Sequence, residues 1–219
     1  MSQRNKVPAP TVKRLSLLLR ELDLRLQLGH DRISSKQLGA ALGVTDAQVR
    51  KDLAYFGQFG HPGIGYPTAE LQSELRQILG TDRTWNTALI GAGNLGRALM
   101  SYDGWRQRGF EIVAVFDADP ARVGEQLENH SVRPMQDVAT LVKQREIRLA
   151  MIAVPGEAAQ GVADMLIQAG VRGILNFAPR RLDVHDAVSV SSVDLALSLE
   201  QLAFQVSLGL TGSLDETDS

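Results

Sequence analysis

The sequence predicts an α/β protein in two parts, a small helical module followed by a larger domain built on a parallel sheet. Three observations carry this. Over residues 1–80 apolar residues recur at helical spacing, punctuated by glycines. From residue 86 onward, short apolar runs alternate with helical patterns, as buried parallel strands and their crossover helices do. At the end of the first such run stands Gly91-Ala92-Gly93-Asn94-Leu95-Gly96, a glycine spacing that belongs between a strand and a helix. The first part then reads as an N-terminal winged helix-turn-helix. The second reads as a C-terminal Rossmann-like, doubly wound parallel sheet.

The elements follow in order. After Pro8-Ala9-Pro10, residues Leu15, Leu18, Leu19, Leu22 and Leu26 form one helical stripe that ends near Gly29. Ser35 is expected to cap a short helix containing Leu38 and Leu42, and Gly43 to make the turn. Thr45 opens the next helix with Gln48 three residues on, as in a capping box, and Val49 and Leu53 face inward. Gly57, Gly60, Pro62, Gly63 and Gly65, interleaved with Phe59, Ile64 and Tyr66, predict a β-hairpin wing. Leu71, Leu75, Ile78 and Leu79 predict a further helix ended by Gly80, and residues 81–86 a linker. Strands are expected at 87–90, 112–116, 149–154 and 173–177, with helices after the first three. His130 and His185 fall in loops. A last apolar helix spans about 194–208, and residues 209–219 read as a disordered tail. The domains are thus 1–80, with the helix-turn-helix at about 17–56, then 86–193, then the helix 194–208.

Composition narrows the function. With 219 residues, 44 % hydrophobic and 22 % charged, the chain can bury a core of ordinary soluble character. No apolar run is long enough to span a bilayer and no signal core follows the N-terminus, so a cytoplasmic protein without membrane contact is expected. There is no Cys, which excludes disulfides and thiolate metal sites, and the four His are scattered, so no metal is expected. Net charge is −2 but uneven. Residues 1–80 hold 11 Lys and Arg against 7 Asp and Glu, a net +4; the remainder holds 12 against 18, a net −6. A basic module on an acidic body fits a local nucleic-acid footprint, although a module this size reaches +4 by chance as well.

Two motifs carry chemistry. In the glycine fingerprint, Gly91 permits the tight turn, Gly93 lets backbone amides approach a pyrophosphate, and Gly96 lets helix and strand pack closely. Asp117 ends the second strand, 21 residues after Gly96. A carboxylate there accepts hydrogen bonds from ribose hydroxyls and repels a 2′-phosphate, favouring NAD(H) over NADP(H). The alternatives are a nucleotide-fold relic and a Rossmann domain for another adenosine ligand such as coenzyme A. In the helix-turn-helix, the second helix offers Gln48, Arg50, Lys51 and Tyr55. Gln and Arg suit base edges and Lys suits phosphates. The alternative is a three-helix protein-interaction module with a solvated charged face. No catalytic constellation stands out, so an enzyme is not expected.

Taken together, the motifs resemble those of the Rex family of bacterial redox-sensing transcriptional repressors. The resemblance runs from Val7-Pro8 to about Leu208. It includes Ile33-Ser34-Ser35, residues 47–53 (AQVRKDL), Tyr55-Phe56-Gly57, Gly63-Ile64-Gly65-Tyr66, Gly91–Gly96 with Arg97-Ala98-Leu99, and Phe116-Asp117. It continues through Val154-Pro155, Ala159-Gln160, Asn176-Phe177-Ala178-Pro179 and Val193-Asp194. It implies a homodimer with C-terminal helices swapped between subunits. It also implies binding of a palindromic DNA operator when NADH is scarce, release by NADH, and NAD+ as a competing ligand. The genes controlled would serve respiration and fermentation.

The resemblance also assigns residues. Gly91, Ala92, Gly93, Asn94, Leu95 and Gly96 would hold the pyrophosphate, Asp117 the ribose, and Val154 and Pro155 the crevice. Tyr102 would meet the nicotinamide, and Arg20 and Asp194 would form a ligand-dependent charged pair. Ser35, Lys36, Thr45, Gln48, Arg50, Lys51, Tyr55, His61 and Gly63 would face DNA. Two positions depart from the family. Pro62, preceded by His61, stands where a minor-groove Arg is usual in the wing. Arg180-Arg181 stand where apolar residues are common, which leaves the packing there open.

Overall fold

The computed structural model describes residues 7–60 and 64–209, and it divides into two compact units with the boundary between Arg83 and Thr84.

The first unit is four helices and a two-stranded sheet. Helix α1 (Ala9–Gln27) starts on Pro8, whose fixed φ suits a helix entry, and buries Leu15, Leu18, Leu19 and Leu22. Strand β1 (Arg32–Ile33) leads into α2 (Ser35–Leu42). The N-cap of α2 is Ser34, one residue before the expected cap. Ser34 Oγ accepts from Gln37 N, and the Gln37 side chain accepts from Ser34 N, a complete capping box. Gly43 ends the helix with φ 72°, and a Cβ on Gly39 would stand 2.6 Å from Val44 O, so the chain doubles back tightly into α3 (Asp46–Ala54). Thr45 caps α3 by accepting from Gln48 N, but only half of the expected box forms, because the Gln48 side chain goes elsewhere.

Only part of the expected wing lies among the described residues. Strand β2 (Tyr66–Pro67) pairs antiparallel with β1, Ile33 opposite Tyr66, more than thirty residues earlier. Among the described residues of 57–66 there is no second strand. The expectations at His61, Pro62 and Gly63 lie outside the described residues. Helix α4 (Thr68–Leu79) closes on α1, and Leu71 and Leu75 complete a core with Ile33, Leu38, Val49 and Leu53.

The second unit is a seven-stranded sheet. Its strands are β3 (Trp85–Ile90), β4 (Phe110–Asp117), β5 (Gln126–Leu127), β6 (His130–Pro134), β7 (Leu149–Ile152), β8 (Gly173–Asn176) and β9 (Ser189–Ser192), in the order β5-β6-β4-β3-β7-β8-β9. All pairs are parallel except β5 with β6. Four strands match the expected ones; β5, β6 and β9 are additional. His130 begins β6 rather than lying in a loop, and its Nδ1 is buried without a hydrogen-bond partner. The expected helix after the second strand arrives only after β6, as α7 (Val138–Gln144).

The sheet has two unequal faces. On one, Ile90, Ala114, Phe116 and Ile152 meet α7 and α8 (Gly156–Ala169) in the main core. On the other, Leu89, Ile112 and Val115 meet the short helices α5 (Asn94–Met100) and α6 (Gly104–Gln107). A bulge after Ile112 lets Ile112 and Ala114 face opposite ways although they are two residues apart. The second face of β7–β9 carries an apolar groove of about 310 Å3, lined by Trp105, Leu149, Met151 and Leu175. After β9 the chain ends in α9 (Leu195–Ser207), capped by Asp194 Oδ1 accepting from Leu197 N at 2.9 Å. The expected tail beyond 209 lies outside the described residues.

Candidate cofactor cleft and nucleic-acid interface

The three fingerprint glycines are glycine for three different reasons. Gly91 has φ 99°, and a Cβ there would stand 2.4 Å from Ala153 O and 3.2 Å from Val154 Cγ1, so the turn lies hard against the end of β7. Gly96 would place a Cβ 1.9 Å from Gly91 O, so it must be glycine for α5 to leave the strand at this angle. Gly93 has neither constraint. Its φ is −71°, and the nearest atom to an added Cβ is Arg122 Nη1 at 3.8 Å. The surrounding chain therefore leaves room for a side chain at 93. The amides of Asn94, Leu95 and Gly96, in the first turn of α5, have no hydrogen-bond acceptor among the described residues.

Asp117 closes one end of this space. It ends β4 at 6 % exposure. Its Oδ2 accepts from Ala92 N at 2.7 Å and from Arg122 Nη1 at 3.2 Å, and Oδ1 accepts from Asp119 N at 2.8 Å. Burial pushes this carboxyl up, but the two amides and the guanidinium outweigh it, so Asp117 is held below the usual carboxylate range. Val154, half-buried, adjoins Gly91 at the other end, and Pro155 is the N-cap of α8. Gly91, Ala92, Asp117 and Val154 thus adjoin one another at the carboxyl ends of β3, β4 and β7, the edge where such sheets bind ligands.

Tyr102 is not in that crevice. It lies just beyond the far end of α5, roughly 10 Å of helix from the glycines, 52 % exposed and edge-on to Trp105. Asp194 caps α9. Arg20 is exposed on α1 and has no carboxylate partner among the described residues; Asp23 is taken instead by Gln72 and Arg76. Arg180 and Arg181 point to solvent, and Ala178 and Leu182 supply the apolar packing of that loop.

In the first unit α3 presents Arg50 and Lys51 to solvent, with Tyr55 46 % exposed at its end and Lys36 exposed on α2. Thr45 and Ser35 begin the two helices of the motif. Two of the expected base readers are occupied. Arg50 Nη1 donates to Asp46 Oδ2 at 2.7 Å and to Ser35 Oγ at 3.0 Å. Gln48 Nε2 donates to Asp52 Oδ1 at 2.9 Å.

Asp52 is itself a residue that the pattern did not single out. It is 1 % exposed, and it accepts from Arg14 Nε at 2.6 Å, Arg14 Nη2 at 2.8 Å and Thr11 Oγ1 at 3.3 Å. This bidentate pair fastens α3 to α1 and raises the Arg14 pKa above its ordinary value. Nothing in the sequence pattern could have joined residues 38 positions apart.

A helix-turn-helix module on a Rossmann domain whose crevice keeps an open glycine defines a ligand-responsive DNA-binding regulator. Family models match both parts: "Putative DNA-binding protein N-terminus" over residues 6–54 and "CoA binding domain" over 82–180. A redox-sensing transcriptional repressor Rex from Carboxydothermus hydrogenoformans is 47 % identical over 201 residues, 92 % of this chain and 97 % of that protein. One from Desulforamulus reducens is 43 % identical over 203 residues, 93 % and 97 % of the two chains. The crystal structure of RSP with β-NAD+ and operator DNA superposes with a TM-score of 0.89 at 36 % identity, covering 93 % of this chain and 94 % of that one. RSP with β-NADH superposes at 0.84 and 34 % identity, over 93 % and 96 %. This chain belongs to the Rex family of redox-sensing transcriptional repressors. It is therefore a regulator and not an enzyme.

Among the described residues no helix is long and apolar enough to cross a membrane, and no group of three or more His, Asp or Glu is placed to hold a metal.

Proposed function

We propose that this chain binds NADH and NAD+ in the crevice between Gly93, Asp117 and Val154, and that NADH releases it from a palindromic operator. The observation that carries the reading is Gly93, a glycine in the phosphate-binding spacing whose open face the surrounding chain does not fill. The residues fit a dinucleotide. The unpaired amides of Asn94, Leu95 and Gly96 receive the pyrophosphate, and Asp117 receives the ribose diol. A carboxylate there disfavours a phosphate at either the 2′ or the 3′ position, which selects NAD(H) against NADP(H) and against coenzyme A. Crystal structures of RSP contain β-NAD+ with operator DNA, and β-NADH; the 34–36 % identity supports the same ligands here.

The working species is a homodimer. Helix α9 leaves a broad apolar surface bare, with Leu195 64 %, Leu199 67 %, Phe204 61 % and Val206 77 % exposed, while polar Gln205 is its buried residue. An exposed apolar patch of that extent marks an interaction surface. The bare groove on the second face of β7–β9 offers apolar surface of the same kind. Exchange of α9 between two copies would satisfy both. Two-fold symmetry then sets two α3 helices against a palindrome, with Lys36, Thr45, Arg50, Lys51 and Tyr55 toward DNA.

Release requires that NADH bind one arrangement of the dimer better than the other; equal affinity shifts nothing. Tyr102 reads the reduced ring. Because it stands at the far end of α5 from its own glycines, it meets a ring held by the second copy. Arg20 and Asp194 exchange partners between the two arrangements. Cytoplasmic location follows from the role, as does control of respiratory and fermentative genes. Titration of the protein with NADH and NAD+ by calorimetry tests the site. Binding of both, lost on Asp117→Ala, is expected; unaltered binding by that variant would remove Asp117 from the crevice.

A further inference from the structure

The carboxylate assigned to the ribose is not free to take it. A carboxylate has about four acceptor positions. On Asp117 the fold fills two of them, Ala92 N on Oδ2 and Asp119 N on Oδ1. That leaves one position on each oxygen, which is what the two hydroxyls of a ribose need. Arg122 occupies the one on Oδ2, at 3.2 Å. The same nitrogen, Nη1, is the nearest atom to the open face of Gly93. So one guanidinium covers the ribose carboxylate and borders the pyrophosphate ledge at once. Its side chain is 41 % exposed, and its remaining contact is Asp119 at 3.7 Å, so it can swing without disturbing the core.

We propose that Arg122 is a counter-ion exchange residue for the cofactor. In the empty crevice it pairs with Asp117; as a dinucleotide enters, it transfers to the pyrophosphate and uncovers the carboxylate for the ribose diol. This rests on the dinucleotide reading above and deepens it. A dianionic pyrophosphate is a stronger partner for a guanidinium than a carboxylate already sharing its charge with two amides. The exchange also sets a selection. A ligand with a ribose but no phosphate must displace Arg122 and offers it nothing in return. A dinucleotide supplies the new partner as it takes the old one. Arg122 therefore favours ADP-ribose and NAD(H) over adenosine by more than their direct contacts alone.

The test is calorimetric titration of wild type, Arg122→Ala and Arg122→Lys with NADH, ADP-ribose, adenosine and NADPH. Arg122→Ala is expected to weaken NADH and ADP-ribose about tenfold, the loss of one charge-assisted contact, and to tighten adenosine several-fold. Arg122→Lys should recover part of the NADH affinity. Equal weakening of adenosine and NADH would make Arg122 merely structural and overturn the proposal. No change with any ligand would make it a bystander. A loss confined to NADPH would place it on a ribose phosphate instead. Wild type that binds NADH normally in any of these cases keeps the dinucleotide reading intact; wild type that binds none of the ligands overturns that reading and this one together.

Discussion

Gly93 and Gly96 look alike in the fingerprint, yet their side chains would fail differently. A methyl on Gly93 meets open space, so Gly93→Ala should keep the thermal midpoint of wild type and lose most of its NADH affinity. A methyl on Gly96 meets Gly91 O at 1.9 Å, so Gly96→Ala should lose stability as well, by about 1–3 kcal/mol. Thermal melts and titrations of both variants check the contrast. Asp117 adds a pH signature. Its folded pKa lies below the unfolded value, so the stability it contributes is present above the ordinary carboxylate range and is lost as pH falls through the folded value. NADH affinity should be flat from neutral pH down to the ordinary carboxylate range and collapse only below it. A midpoint near neutrality would point to a different group. The fingerprint and Asp117 were legible because backbone geometry imposes their spacing. Arg122 was not, because its contact depends on the course of an irregular turn. Gln48 and Arg50 were read as free because pattern shows which side of a helix a residue occupies and not which neighbour it bonds.

Helices α1 and α3 are fastened by one buried ion pair, which gives α3 its position against whatever it reads. Asp52→Ala leaves the Arg14 guanidinium half-sheltered and unpaired and should cost about 3 kcal/mol, measured by denaturant unfolding. Arg14→Lys should cost less but also lower DNA affinity, since a single ammonium cannot hold both carboxylate oxygens. On α9, Leu199→Asp should turn a dimer into a monomer by light scattering without unfolding either domain, since Leu199 is 67 % exposed in the single chain. The long helices were legible from their stripes, down to the Asp194 start of α9. Part of the wing lies outside the described residues; its described strand, β2, pairs with Ile33, a partner more than thirty residues back that local alternation does not reveal. Strand β9, Ser189–Ser192, escaped because an edge strand with largely exposed residues lacks the apolar run that marked the buried ones.

A chain that joins a DNA-reading motif to a dinucleotide crevice makes sense only if the two are linked, and linkage is reciprocal. Operator DNA should weaken NADH binding by the same factor by which NADH weakens operator binding. DNA affinity should also fall steeply with salt, and Lys51→Ala should lower that slope by about one. The sequence made both halves legible and the family resemblance joined them. The decisive measurement is selection of a palindromic DNA library by the purified protein at one fixed salt concentration, with NADH, NAD+ or neither. One enriched palindrome, released by NADH and retained with NAD+, is the expected result. Enrichment that NADH leaves untouched, or no enriched sequence under any condition, would contradict it.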